Sequence, residues 1–309
     1  IGARKSGIHL SWQFNVRDPL FKKYILLSMP FIIAAGMTFS NEFVYLFFGM
    51  DDKNSVAILG YALRIAMVIV GVFGMAISVA SYPYMARLCS EERYTEVNAL
   101  ASRTLEKVFA LLIPSVIILI AFSNAVIELV YKYGKFDAVE QTSIALSFYL
   151  IAALPMSAQL LVVRPFYADK RTWLPSIITL LLFGASLPFY VLVPESVGIA
   201  KIPLISALLS LAQFVLIFSA WLMIHPDRIY FQSLRTFIKV ALPSVGLFLV
   251  AQTFNSYLLL GETSRMLLLF KTVGGGVVLL GVFFVLLYLL QVQPIHDLYR
   301  RIHKKVAQA

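Results

Sequence analysis

The chain has 309 residues, 60% of them hydrophobic and 14% charged, with a mean hydropathy of +0.84. Soluble domains run ~45–50% apolar and ~25% charged, so this composition excludes an ordinary soluble enzyme. The formal charge of +10 comes with no long basic polar domain, which argues against a nucleic-acid partner and for basic loops beside an anionic leaflet.

Residues 1–24 are polar and basic and do not read as a signal peptide. The first residue is Ile, and the expectation is that a longer chain precedes it. Within this segment, WQFNVRDPLFKKY (12–24) mixes aromatic, aliphatic and basic residues, as an interfacial segment does. A membrane-spanning helix needs ~20 predominantly apolar residues. Apolar runs bounded by charges or turns predict eight such helices, at 25–48, 56–85, 106–131, 141–167, 174–194, 200–224, 236–260 and 266–291. Residues 90–106 (SEERYTEVNALASRTLE) begin with Ser90 and acidic residues and space Val97, Leu100 and Leu105 at helical intervals. They predict a surface helix joining the second and third spans. Pro30, Pro114, Pro175 and Pro243 stand in the same half of four alternate spans, where proline either marks a helix start or kinks the helix.

Of the 26 Lys and Arg residues, 19 fall on one side of this alternation and 6 on the other, with Arg64 inside a span. The richer side is expected to be cytoplasmic, with both ends of the chain on it.

The single cysteine, Cys89, excludes an intrachain disulfide, and four scattered histidines lack zinc-site spacing. No GxxxxGKS/T phosphate loop occurs. No Ser/His/Asp set, Cys/His set or carboxylate pair has a usable spacing, so no cofactor, metal or catalytic centre is expected. What remains is Arg64. Charge at a bilayer centre costs ~2.5–3.5 kcal/mol on insertion scales. Its guanidinium either snorkels to the outer headgroups or faces a hydrated cavity that takes an anionic group, for which paired donors suit phosphate. Asn41 and Glu42 lie in the outer part of the first span. Glu42 has three readings: a partner for Arg64, a site for a coupling cation, or an interfacial residue. Gln159, Gln213, Gln252 and Asn255 read as helix–helix hydrogen bonds, and Gly274, Gly275 and Gly276 as a close helix approach.

Residues 61–86, YALRIAMVIVGVFGMAISVASYPYMA, resemble the signature YxADRLxxLPxGxxGxAxxTxxLPxLS of the MurJ (MviN) lipid II flippases, through Tyr61, Ala62, Arg64, Gly71, Gly74, Ala76 and Pro83. VYKYGKFDAVEQT (130–142) resembles LFxxGxFxxxxT through Gly134, Phe136 and Thr142. FYADKRTWLP (166–175) resembles FYAxxDTxTP through Phe166, Tyr167, Ala168, Thr172 and Pro175. Leu63, Ile69 and Val79 depart from the family's aspartate, proline and threonine.

The resemblance implies an all-α integral membrane protein of about eight transmembrane helices. These would be one lobe plus the last helix pair of a fourteen-helix, two-lobe transporter in the multidrug/oligosaccharidyl-lipid/polysaccharide exporter superfamily. It implies a basic link at 1–24, a six-helix lobe at 25–224, a two-helix segment at 225–291 forming a groove for the polyprenyl tail, and a basic tail at 292–309. The implied activity is transfer of undecaprenyl-pyrophosphate-linked peptidoglycan precursor from the inner to the outer leaflet of the bacterial cytoplasmic membrane. Arg64, Glu42 and Asn41 are then the candidate substrate-binding residues, and membrane lipids and an N-terminal lobe the further partners. Export of another polyprenyl-linked oligosaccharide, or a non-transporting scaffold, are the alternative expectations.

Overall fold

In a bilayer every backbone polar group must be paired within the protein, so long apolar runs of this kind fold as helices. The computed structural model describes residues 53–132, 137–193, 195–258 and 265–296, with scattered positions between 18 and 32 and Val44. Its elements are α1 (Lys53–Ile69), a π-helical turn (Val70–Met75), α2 (Ala76–Ser90), α3 (Tyr94–Ala121), α4 (Ser123–Tyr131), α5 (Val139–Ala168), α6 (Trp173–Leu192), a 3-10 turn (Glu195–Ala200), α7 (Lys201–Ile224), α8 (Tyr230–Leu258) and α9 (Arg265–Leu289). Among the described residues there is no strand. Among the described residues, seven helical segments are long and apolar enough to cross a membrane. They correspond to the second to eighth spans expected from sequence; the first, 25–48, lies mostly outside the described residues, although Val44 packs into the core.

The expected spans needed two corrections. Residues 94–106 are not a separate surface helix but the first three turns of α3, which runs unbroken to Ala121 with Pro114 inside it. They are buried because their polar side chains meet polar partners from the far end of the chain. Asn98 Oδ1 accepts from Trp221 Nε1 at 2.7 Å and from Tyr230 Oη at 3.2 Å. The Ser102 and Ser233 hydroxyls lie 2.7 Å apart. The third span also ends earlier than expected, at Phe122, after which α4 forms a separate short helix. Of the three described prolines in the alternate spans, Pro175 sits in the first turn of α6, as a helix start, whereas Pro114 and Pro243 are interior.

α3 and α5 are the inner helices. In their apolar stretches 67% and 50% of residues are buried, against at most 33% in the other spans, which turn apolar surface outward. α5 packs against α1, α2, α3, α4 and α7, and α8 lies along α3. The alternation of the spans is visible in the contacts between corners. On one side, Tyr94 Oη donates to Asp169 Oδ1 at 2.9 Å, and His225 stacks on Tyr94 with ring centroids 3.9 Å apart. On the other, Asn255 Nδ2 donates to the Ala121 carbonyl at 3.1 Å, and Tyr131 Oη donates to the Tyr61 carbonyl at 3.3 Å.

Three helices on the first side end in the same way. Glu92, Lys170 and Gln291 have φ of 57°, 61° and 53°. The amides that follow, of Arg93, Arg171 and Val292, bond back to the carbonyls of Leu88, Phe166 and Leu287 at 3.0, 2.9 and 3.1 Å. This is the Schellman closure, built here without the glycine that usually takes the left-handed position.

Candidate substrate-binding face

α1, the π turn and α2 form one rod. Its buried side carries Ile58, Leu59, Ala62, Leu63 and Ala66. Leu63, which departs from the aspartate of the signature, is a core residue with 5% exposure. An ionised carboxylate there would be buried against apolar neighbours, so leucine fits the packing.

Arg64 points the other way. It is exposed, not enclosed by the bundle, and heads a face on which Val68, Val72, Met75 and Val79 are also exposed. One turn before it, Tyr61 stacks on Tyr131 with centroids 4.4 Å apart. Burial pushes the Tyr131 phenol up from its ordinary value, and the nearby Arg64 charge opposes that rise. The one acid on α4 is engaged elsewhere, since Glu128 Oε1 accepts from Lys132 Nζ at 2.6 Å. Among the described residues no carboxylate pairs with Arg64. Asn41 and Glu42 lie outside the described residues.

The family-like motif residues divide into packing and surface roles. A Cβ on Gly74 would lie 2.8 Å from Ser157 Cα, so glycine is what lets the π turn touch α5, whereas Gly71 meets nothing within 4 Å. Phe166 is fully buried edge-on to Trp221, with centroids 5.1 Å apart. Thr142 Oγ1 donates to the Ala138 carbonyl at 2.6 Å in the first turn of α5. Gly134 and Phe136 lie outside the described residues.

The side-chain geometry also brings forward Arg164, which the sequence reading counted with the basic loops. It lies inside α5, half-buried. Its Nε donates to Ser78 Oγ of α2 at 2.6 Å, and Ser78 donates in turn to the Leu160 carbonyl at 2.9 Å. The signal was present in the sequence: Arg164 precedes the turn at Asp169–Lys170 by more than one helical turn.

Three other arginines, Arg87, Arg93 and Arg171, are paired with acids. Arg93 pairs with Glu91 and Glu96 at 2.7 and 2.5 Å, Arg87 with Glu91 at 2.9 Å, and Arg171 with Asp169 at 2.7 Å. Hydrogen bonds from Arg93 and Arg87 hold the exposed Glu91 carboxyl below its usual value.

A family model described as "Lipid II flippase MurJ" matches residues 1–273. Among curated relatives, a "Probable lipid II flippase MurJ" of Rhizobium tropici is 30% identical over 178 residues, covering 57% of this chain and 33% of the relative. Another so described, from Bdellovibrio bacteriovorus, is 22% identical over 267 residues, covering 84% of this chain and 51% of the relative. The chain thus spans about a third to a half of the length of the curated relatives it matches. With seven membrane-length helices and this match over most of its length, the chain belongs to the lipid II flippase MurJ family.

Proposed function

We propose that this chain carries the lobe at 25–224 and the helix pair at 225–291 of a two-lobe flippase, with 1–24 and 292–309 as cytoplasmic link and tail. It moves a polyprenyl-pyrophosphate-linked peptidoglycan precursor from the inner to the outer leaflet of the bacterial cytoplasmic membrane. The face headed by Arg64 turns toward a second lobe, on the same longer chain or a separate one, and the space between them is hydrated.

The observation that carries this reading is Arg64 itself. It is a guanidinium without an acid partner among the described residues, on the outward face of a membrane-length helix, at the arginine position of the family motif. In such a place a cation needs water or an anion. A pyrophosphate satisfies it with paired, charge-assisted hydrogen bonds. The polyprenyl tail stays with the apolar surface, and alternating access of the two lobes carries the headgroup across. Asn41 and Glu42 are the other candidate substrate-binding residues, with Glu42 standing in for the acid that Leu63 replaces.

Depletion–complementation in a bacterium lacking its own flippase tests this reading. The complete protein supports growth, Arg64→Ala does not, and Arg64→Lys does so in part. Full growth with Arg64→Ala removes the residue from the transport account.

A further inference from the structure

Arg164 lies inside the membrane-length helix α5, and no described carboxylate forms an ion pair with it. Snorkelling does not describe its posture. A snorkelling side chain extends past its helix end toward the headgroups. Arg164 is instead tied sideways, through Nε, to Ser78, and Ser78 is bonded to the Leu160 carbonyl one turn earlier in α5. Its Cζ lies 5.8 Å from the centre of the Tyr82 ring, at the outer limit of a cation–π contact. Ser78 takes the Nε donor, which leaves four of the five N–H donors on the Nη edge of the fork.

Its place relative to Arg64 gives this edge a use. Tyr82 follows the exposed Val79 by three residues, so it adjoins the face that Arg64 heads. Ser78 is fourteen residues beyond Arg64 on one continuous rod, an axial separation of roughly 20 Å at 1.5 Å per residue. The two cations therefore stand at two levels along this rod, Arg164 on the side richer in Lys and Arg.

We propose that Arg164 is a second anion site on this face, where a lipid-borne phosphate group is held at the basic-side level before it reaches Arg64. This rests on the proposed function: the lipid is the polyprenyl pyrophosphate, and a leaflet phospholipid offers the same phosphate chemistry from another source. Ser78 is a positioning residue that aims the guanidinium through Nε.

The test uses the complete protein in phosphatidylcholine nanodiscs, with undecaprenyl pyrophosphate and, separately, phosphatidylglycerol as probes. Arg164→Gln weakens undecaprenyl pyrophosphate binding at least tenfold, Arg164→Lys less than threefold, and phosphatidylglycerol binding changes less than twofold in both. Ser78→Ala keeps the charge and weakens undecaprenyl pyrophosphate binding by an intermediate factor. Equal loss of both probes overturns the proposal, because the arginine then anchors any anionic lipid. So does unchanged binding with a lowered melting temperature in both Arg164→Gln and Ser78→Ala, which makes the pair a strut between helices. Binding that depends on Arg64 and not on Arg164 overturns the second site and leaves the proposed function standing. Absence of undecaprenyl pyrophosphate binding in the unsubstituted protein overturns both.

Discussion

Gly74 rests directly on Ser157: a Cβ added to the glycine would stand 2.8 Å from the serine Cα and 2.9 Å from its Cβ. The neighbour is backbone, which cannot swing aside, so the two helices must separate to admit even a methyl group. Gly74→Ala should cost ~1–3 kcal/mol, as overpacking does, and lower the melting temperature in detergent. Gly71→Ala, in the same π turn but with open space around it, should stay within ~0.5 kcal/mol, as unobstructed substitutions do.

The approach of α9 to α8 depends on Gly275 in a different way. A Cβ there would lie 2.6 Å from Cζ of the Phe254 ring, a side chain that can be shortened. Gly275→Ala should destabilise the protein, and adding Phe254→Leu should recover most of the loss. Gly274→Ala, with nothing within 4 Å, should leave the melting temperature unchanged.

Asn98 holds the α3, α7 and α8 ends together. Besides accepting from Trp221 and Tyr230, its Nδ2 donates to the His225 carbonyl at 3.3 Å. Asn98→Ala leaves the buried indole N–H without an acceptor, a penalty of ~1–3 kcal/mol. Thermal unfolding of the variant should show that loss, with a red-shifted Trp221 emission if water enters.

These contacts also mark what the sequence made legible. Long apolar runs such as those of α5, α7 and α9 announced themselves, because burial in lipid requires them whatever the neighbours are. The stretch 94–106 did not, since Asn98, Ser102, Thr104 and Glu106 lower its hydropathy, and all four are buried. Partners of Asn98 and Ser102 lie more than 120 residues away, beyond the reach of local periodicity. The Schellman ends at Glu92, Lys170 and Gln291 were hidden for a related reason: no glycine marks them. Arg64 was readable as the unusual cation, but its direction was not, because helical phase alone leaves open which face is outward. Arg164 stands inside the expected span 141–167 and was still counted with the loop charges; the Ser78 bond is what gives it a place in the packing.

The left-handed ends give a prediction of their own. A side chain at positive φ strains the backbone by ~1–2 kcal/mol, which glycine avoids, while the added freedom of glycine in the unfolded chain returns part of that. Gln291→Gly should therefore raise stability by up to ~1 kcal/mol, read as a higher melting temperature. Gln291→Val, β-branched at the same angle, should lower it.

His225 supplies a pH dependence. Burial lowers its pKa below the ordinary 6.5, with the nearby Arg171 charge acting in the same direction and Asp169 against it. The folded state thus holds the neutral ring, and the unfolded state binds the proton more readily. That contribution is complete above pH 6.5 and is lost as pH falls from there through the depressed value. The melting temperature should fall on acidification across this window, and His225→Gln should flatten the fall.

The central claim is that Arg64 meets the headgroup of a lipid in transit. The most direct measurement is the fraction of lipid II open to an externally added hydrolase in spheroplasts whose only flippase is the complete protein. With Arg64→Ala present at normal abundance in the membrane, that fraction should fall at least tenfold, with lipid II accumulating on the inner leaflet. An unchanged fraction would contradict the account.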